Sequence, residues 1–274
     1  MPRRRVLIAL LGSLALGACG SDPPTAKEKA DPGPDGFVIP DYTRSPCYGN
    51  PRSTIVYDGV THGLNDVATT CRAEGERTLL YVEDDLWERS RSPDVPAITQ
   101  SEVDAFMVGY ELRGRGTSYM PDLGVLPTDE LVFGSLDPAS IPDGKLPVFV
   151  IDSGGAGDGY LCSWCDDLSL HLDGPALRSL HTDQTLSIAA HESFHGIHRG
   201  YDANETIWVD ESLAEAAMTV NGFFTDDDWL EAFLYDPNVS WGPGVDDIAS
   251  FQYGAGLLFG TFLWERGGRN LLHA

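Results

Sequence analysis

The five residues at positions 191–195 constrain this chain more than any other segment. They read H-E-S-F-H, and on a helix the two histidines lie one turn apart on the same face. Two neutral imidazoles in this arrangement can hold one zinc ion, and Glu192 between them can take a proton from a water on that ion. Such a helix with a third ligand predicts a metal-dependent hydrolase. The alternative is a chance match of three fixed letters in a helical protein.

Local signals predict two helices around this motif. Thr182 is a capping residue and Gly200 a natural stop, so the first helix is expected over about residues 183–199. A second helix is expected to begin near Trp208, after a polar loop. The apolar residues that give the first helix its buried face are Leu186, Ala189, Ala190, Phe194 and Ile197.

The second helix carries a family resemblance. Residues 208–215 read W-V-D-E-S-L-A-E, and this W-x-x-E-x-x-A-E pattern after H-E-x-x-H resembles the gluzincin metallopeptidases, among them the secreted hyicolysin-like enzymes. The resemblance covers roughly residues 146–266. It implies a zincin-like α+β fold, in which a mixed twisted sheet with an antiparallel edge strand lies over the active-site helix, followed by a mainly helical C-terminal lobe.

The resemblance also implies a role for each polar residue. His191, His195 and Glu211 would be the protein ligands of one Zn²⁺ per chain, with a fourth position left for water. Glu192 would be the general base in peptide-bond hydrolysis. Glu215 would orient a ligand histidine from behind. Taken alone, Glu215 is equally compatible with a solvated helix face.

Tyr253 is the candidate donor to the oxyanion. It begins an apolar helix expected over residues 253–264, and its Y-x-x-G spelling resembles the tyrosine-bearing helix of aminopeptidase-like gluzincins. The lysine that those enzymes carry before the glycine is replaced by Ala255. The alternative is a tyrosine that only packs at a helix start. The aminopeptidase G-x-M-E-N signature is absent, which favours an endopeptidase acting on peptides or proteins.

His198 is expected to lie outside the metal site. It shares a helix face with His191 but lies about 10.5 Å away along the axis, too far to join the same tetrahedral ion. A metzincin would need glycine at position 198 and histidine at 201, where this chain has His198 and Tyr201. His198 is therefore interpreted as a cleft-edge or packing residue.

Upstream segments predict the sheet. Residues 146–151 form an apolar run typical of a buried strand, and residues 167–173 alternate as a half-exposed strand does. In the resembled enzymes the strand before the active helix is an antiparallel edge strand that pairs with substrate. A helix is expected over residues 101–113. Asp152, Asp158, Asp166 and Asp167 flank a glycine-rich loop, which is interpreted as a solvated acidic loop rather than a calcium site.

The N-terminus predicts export. Arginines at residues 3–5 precede an apolar run too short for a stable membrane anchor, a pattern typical of a signal peptide over residues 1–18. The ending L-G-A-C resembles a bacterial lipobox, which implies lipidation at Cys19 and a membrane-anchored lipoprotein, periplasmic or on the cell surface. Residues 19–46 are expected to be a disordered tether, and residues 47–274 the metallopeptidase domain.

Four cysteines remain after Cys19, an even number in an oxidising compartment. The expected pairs are Cys47–Cys71 and Cys162–Cys165. The alternatives for the second pair are a redox centre or half of a metal site, but no second C-x-x-C completes a zinc ribbon.

The remaining features limit the partners. A formal net charge of −24 argues against nucleic acid and weakly favours cationic substrates. Few residues follow Glu211, so either the helical lobe is minimal or the sequence is a fragment. The main alternative to an enzyme is a non-catalytic surface lipoprotein that uses the same scaffold for binding or adhesion. The oligomeric state stays open.

Overall fold

The computed structural model describes residues 37–89, 97–165, 167–223, 227–238 and 250–273. The predicted signal peptide, Cys19, most of the tether and Asp166 lie outside these ranges. The chain divides into two units, residues 1–38 and residues 39–274. The second unit contains all the elements described below.

The described residues form one six-stranded sheet with the order β1-β2-β3-β4-β6-β5. The strands β1, β2 and β3 form an antiparallel meander, and β4 and β6 continue the sheet in parallel. The last strand, β5, pairs antiparallel with β6. The bounds are β1 Pro51–Asp58, β2 Gly63–Glu74, β3 Thr78–Glu83, β4 Leu146–Ile151, β5 Gly159–Cys162 and β6 Ser169–Asp173.

Helices cover one face of this sheet. The predicted motif helix is present as α4, which continues two residues past its expected end, and the second helix is present as α5. The segment expected to be helical over residues 101–113 begins as α1 and ends in one π-helical turn, Val108–Leu112. The bounds are α1 Gln100–Met107, α2 Val125–Phe133, α3 Gly174–Leu177, α4 Asp183–Tyr201, α5 Ile207–Val220, α6 Asp227–Tyr235, α7 Ser250–Gly267 and α8 Arg269–Leu272.

The central strands bury side chains on both faces. In β4, Val148 and Val150 pack in the main core with the helices, whereas Phe149 and Ile151 pack in a smaller core on the opposite face. The smaller core also contains the disulfide Cys47–Cys71. A strand with two covered faces reads as a continuous apolar run, which is why β4 was predictable from the sequence.

The strand that precedes the motif helix is not the edge strand. All five residues of β6 are buried, and β6 lies between β4 and β5. The expectation of a half-exposed edge strand there is wrong, because the polar residue of its alternation, His171, is itself covered. His171 contacts Ser169 and the Tyr160 hydroxyl, at 3.1 Å and 2.9 Å from its ring nitrogens. The antiparallel edge strand beside α4 is β5.

The folded unit begins before the predicted boundary at Cys47. Tyr42 lies in a short 3₁₀ turn, Tyr42–Arg44, and its side chain is buried in the main core. The disulfides Cys47–Cys71 and Cys162–Cys165 are both formed, as expected, and they indicate an oxidising compartment outside the cytoplasm. Within the described ranges, no helix is both long enough and apolar enough to span a bilayer.

Close packing of α7 on α5 brings Tyr253 to the motif. A Cβ atom on Gly256 would lie 2.9 Å from Ser212 Oγ, and one on Gly260 would lie 2.9 Å from Ala216 Cβ. Real Cβ atoms do not approach so closely, so the two glycines allow the helix backbones to meet. This contact fixes the start of α7 beside the first turns of α5.

Candidate metal site

The motif residues project from α4 toward α5. Thr182 caps α4 by accepting a hydrogen bond from the backbone N–H of Thr185, at 3.1 Å. The apolar residues of α4 turn toward the core, and the opposite side presents His191, Glu192 and His195 to a cleft. The two imidazole rings lie 4.8 Å apart, centroid to centroid. Ligand atoms of these three residues lie within 4.8 Å of one another and could hold a metal ion.

Glu211, in the first turns of α5, faces both imidazoles. Its Oε2 lies 3.2 Å from Nε2 of His191, and its Oε1 lies 3.8 Å from Nε2 of His195. Nε2 of both imidazole rings therefore points to the carboxylate of Glu211. Two imidazole nitrogens and one carboxylate are donors that suit a divalent transition-metal ion.

Each imidazole also has a carboxylate behind it. Nδ1 of His191 lies 3.2 Å from Oε1 of Glu215, and Nδ1 of His195 lies 2.8 Å from Oδ2 of Asp210. Neither contact is a well-aligned hydrogen bond in this structure, but with the proton on Nδ1 a carboxylate at this position would orient the ring and leave Nε2 free to bind a cation. The sequence predicted Glu215 for this role but missed Asp210. The signal was available, since Asp210 lies next to Glu211 at the start of the same helix.

Asp210 also contacts His198. Nδ1 of His198 lies 2.6 Å from Oδ1 of Asp210, and its ring packs 5.1 Å from the ring of Phe194. The carboxylate of Asp210 thus bridges two histidines, His195 and His198. The structure places His198 beside this bridging carboxylate and the packed ring of Phe194.

The electrostatics of the cluster favour a cation at its centre. Within the described part of the chain, the ion-pair partners of Asp210, Glu211 and Glu215 are all histidines. Burial lowers the pKa of His191, but the adjacent carboxylates of Glu211, Glu215 and Glu192 raise it, and the net pKa is well above its usual value. The site therefore stabilises positive charge, which a bound divalent ion would supply.

Glu215 gives an independent test of the fit to a metal. Its side chain is only 1% exposed, and neither of its oxygens has a well-aligned hydrogen bond among the described residues. A buried carboxylate without such a bond is costly. When Nε2 of His191 binds a cation, Nδ1 must carry the ring proton and can donate it to Glu215. The residues present thus fit a metal held by His191, His195 and Glu211.

Glu192 links the motif helix to the edge strand. Its Oε2 accepts a hydrogen bond from the backbone N–H of Leu161 in β5, at 2.9 Å. The N–H of Leu161 therefore points away from β6. In an antiparallel pair alternate residues point outward, so Gly159 and Leu161 present the outward backbone groups of β5. A Cβ on Gly159 would lie 2.7 Å from Ile188 of α4, which explains the glycine at this close approach.

Tyr253 also lies at the site. Its ring centroid is 6.3 Å from that of His191 and 4.2 Å from that of Trp229. Burial raises the pKa of Tyr253, and the nearby Glu211 carboxylate raises it further. The phenol therefore keeps its proton at neutral pH and remains a hydrogen-bond donor.

Two cavities meet at the site. His191, Glu192 and Tyr253 line both of them. One has a volume of about 480 Å³ and extends over Tyr160, Leu161 and Trp164. The other has a volume of about 630 Å³ and extends past Gly157, Gly159 and Ile188. Glu192 therefore lies in the middle of a cleft that runs along β5 rather than at the end of a closed pocket.

Two other groups singled out in the sequence make contacts of their own. Cys162 and Cys165 lie near His171, but the disulfide between them removes the thiolates that a metal needs. The acidic loop residues make separate contacts, in which Asp152 accepts from the Gly154 N–H and Asp158 from Gln184. Asp167 pairs with Arg52.

Neither models of known protein families nor curated proteins give a match to this chain. The assignment of function therefore depends on the geometry of the site.

Proposed function

We propose that this protein is a zinc-dependent metallopeptidase, and that it acts as an endopeptidase on extracytoplasmic proteins or peptides. The observation that carries the proposal is the convergence of His191, His195 and Glu211 beside Glu192 at the sheet edge. His/His/Glu ligation favours zinc over other divalent ions. Zinc held there would polarise a peptide carbonyl and lower the pKa of a water molecule to about 7.

The residues of the chain supply the proton transfers. Glu192 is partly buried in the cleft floor, where its carboxylate can take the proton of the attacking water and pass it to the leaving amine. Asp210 and Glu215 keep the two imidazoles oriented through the reaction. Tyr253, which stays protonated at neutral pH, donates to the oxyanion that develops on the substrate carbonyl.

Substrate binding follows from the edge strand. The outward backbone groups of Gly159 would pair with an extended peptide, next to Leu161, whose N–H donates to Glu192 and whose C=O accepts from the Ser163 N–H. Such pairing gives affinity with little demand on the peptide sequence. The cleft continues on both sides of Glu192, so a peptide can extend past the cleaved bond in both directions. This continuity supports cleavage within a chain rather than at its end.

The proposed location is the outer surface of a membrane. The disulfides support an oxidising compartment, and the N-terminal sequence supports a lipid anchor at Cys19 followed by a tether. Metabolic labelling with a radioactive or alkyne fatty acid would test the anchor, with Cys19→Ser as the control. Equal labelling of wild type and Cys19→Ser would contradict it.

The activity is tested on the mature chain purified from an oxidising compartment. We expect about one zinc per chain by elemental analysis and loss of that zinc in His191→Ala. We expect cleavage of casein or a mixed peptide library by wild type and none by Glu192→Gln. A zinc-loaded wild type that cleaves nothing would overturn the peptidase proposal and favour a binding scaffold.

A further inference from the structure

The turn closed by Cys162–Cys165 holds an exposed indole at the mouth of the smaller cavity. Trp164 is 58% exposed and stacks on Tyr160, with ring centroids 5.8 Å apart and planes 8° apart. The disulfide restricts the turn from one side. On the other side the Tyr160 hydroxyl contacts Nδ1 of His171 at 2.9 Å. The indole is therefore presented to the cleft on a rigid support.

Rigid, exposed aromatic rings favour binding because little conformational entropy is lost when a ligand stacks on them. Trp164 is mostly exposed and contributes little to the core, whereas Cys162 is the buried residue of the turn. One face of the indole is occupied by Tyr160, and its exposure leaves the other face to a ligand. The position of Trp164 beside Leu161 and Glu192 places that ligand next to the bond that is cut.

The loop after α4 lines another part of the same cavity, and this wall is acidic. It carries Asp202 and Glu205. Both carboxylates are held in place, since Asp202 accepts from the Asn204 N–H at 2.9 Å and Glu205 from the Thr206 N–H at 2.6 Å. Arg199 also lines this wall, so the loop side presents two carboxylates against one guanidinium.

An aromatic face and carboxylates in one cavity are the combination that binds an ammonium or guanidinium group. The other cavity also has an aromatic ring, Trp229, and one carboxylate outside the metal cluster, Asp158, but Asp158 accepts a hydrogen bond from Gln184, and the apolar Ile188 and Met218 line the same cavity. Selection of a basic side chain is therefore expected to be stronger on the Trp164 side of the cleft. The formal net charge of −24 adds long-range attraction for cationic peptides.

The direction of the peptide decides which residue of the substrate meets Trp164. We take the peptide to add to β5 as an antiparallel strand, the commoner pairing of strands, so that it runs opposite to the direction from Gly159 to Cys162. Its N-terminal part then lies over the turn that follows Cys162. The basic side chain is thus expected before the cleaved bond, not after it.

We propose that Trp164, with Asp202 and Glu205, forms a subsite for a lysine or arginine side chain on the N-terminal side of the cleaved bond. This inference depends on the proposed peptidase function for its reaction, but the binding event can be measured without it.

The first test is the cleavage of a peptide library by wild type and by Trp164→Ala. We expect lysine and arginine to be enriched before the cleaved bond with wild type. In Trp164→Ala we expect KM for an arginine peptide to rise roughly threefold to thirtyfold with kcat little changed. The control Tyr235→Ala removes a ring that is 93% exposed and lines neither cavity, and it should keep the preference.

The charge is tested with a matched pair of peptides that differ only in arginine or citrulline. Asp202→Asn with Glu205→Gln should raise KM for the arginine peptide and leave KM for the citrulline peptide unchanged. Preference for the arginine peptide should also weaken as salt concentration rises. A wild type with no basic preference, or one that Trp164→Ala leaves intact, would overturn the subsite while the peptidase proposal stands.

Binding to Glu192→Gln separates the subsite from the reaction. By calorimetry, the arginine peptide should bind Glu192→Gln more tightly than the Glu192→Gln, Trp164→Ala double variant. If wild type cleaves nothing but this difference is present, the peptidase proposal fails and the subsite stands as a site for basic peptides. Equal binding by the two variants would overturn the subsite.

Discussion

Glu192 accepts a hydrogen bond from the backbone N–H of Leu161 at 2.9 Å, so the proposed general base on the motif helix and the outermost strand of the sheet meet in one hydrogen bond. The contact holds the carboxylate at the strand edge where an extended peptide would lie. It also makes a substitution possible that changes the chemistry and keeps the contact, because a glutamine amide oxygen accepts the same bond.

Glu192→Gln should therefore abolish turnover without disturbing the fold. Loss of a general base typically lowers kcat by about 10² to 10⁴. Zinc content and thermal unfolding should match wild type, since the introduced amide oxygen still accepts the Leu161 N–H. Steady-state kinetics with elemental analysis of the same samples checks this. Loss of zinc in Glu192→Gln would show that Glu192 is a ligand, and the roles of Glu192 and Glu211 would need revision.

The two carboxylates behind the imidazoles should tune metal affinity in parallel. Glu215→Gln and Asp210→Asn each remove the charge that orients one ring, and each should weaken zinc binding by about 10- to 100-fold. Competition with a fluorescent chelator measures the effect.

Glu231→Gln is the matched control for these two variants, because Glu231 is exposed on α6 and lines neither cavity. Its zinc affinity should equal that of wild type. If Glu215→Gln binds zinc as tightly as Glu231→Gln does, Glu215 is only a buried structural carboxylate.

Tyr253→Phe should affect the transition state rather than binding. Removal of one oxyanion donor lowers kcat by about a hundredfold or more. We expect KM and zinc content to stay close to wild type, because the ring keeps its contact with Trp229. The ratio of kcat to zinc-loaded protein is the measurement. Full turnover in a zinc-loaded Tyr253→Phe would show that Tyr253 only packs.

The parts of the site that could be predicted from the sequence have local causes. Thr182 caps α4, and the spacing of the apolar residues in α4 turns His191 and His195 to the same side. One segment of the sequence is therefore enough to predict the helix and the shared face of the two histidines. The prediction of an exposed edge strand failed because the environment of β6 depends on contacts with another strand. The polar face of β6 is covered because His171 meets Tyr160 of β5, a contact between two strands that alternation within one strand cannot reveal.

The edge strand itself was hidden for a similar reason. With four residues and a glycine at its start, β5 lacks the length and alternation that mark a strand. It forms because β6 offers a partner and because Gly159 allows α4 to approach. Nothing in the sequence marks Trp164 as a cleft residue, since the cleft that it lines is built from elements far apart in the chain.

The two disulfides should differ in their contribution to stability. Cys47–Cys71 spans a sequence separation of 24 residues and Cys162–Cys165 a separation of 3. On the loop-entropy estimate, replacing both cysteines with serine should lower the free energy of unfolding by about 3.5 kcal/mol for the first pair and about 2 kcal/mol for the second. Urea unfolding of the two double variants gives the comparison. Equal losses would contradict the loop-entropy explanation.

His171 should make the fold sensitive to acid. Burial lowers the pKa of His171 to about 3, whereas a histidine in the unfolded chain has a pKa of about 6.5. Between these values the unfolded chain binds a proton that the folded chain does not. The free energy of unfolding should therefore rise with pH over this window, and it should fall by up to about 1.4 kcal/mol for each unit that the pH drops.

His171→Gln isolates this contribution, because glutamine keeps donors and acceptors for Ser169 and Tyr160 but does not titrate. Its stability at neutral pH will be lower, so the slope between about pH 3 and about pH 6.5 is the quantity to compare. We expect a shallower slope for His171→Gln than for wild type in urea titrations at several pH values. His181→Gln, at an exposed histidine, should retain the wild-type slope. Parallel slopes for wild type and His171→Gln would show that other groups cause the acid sensitivity.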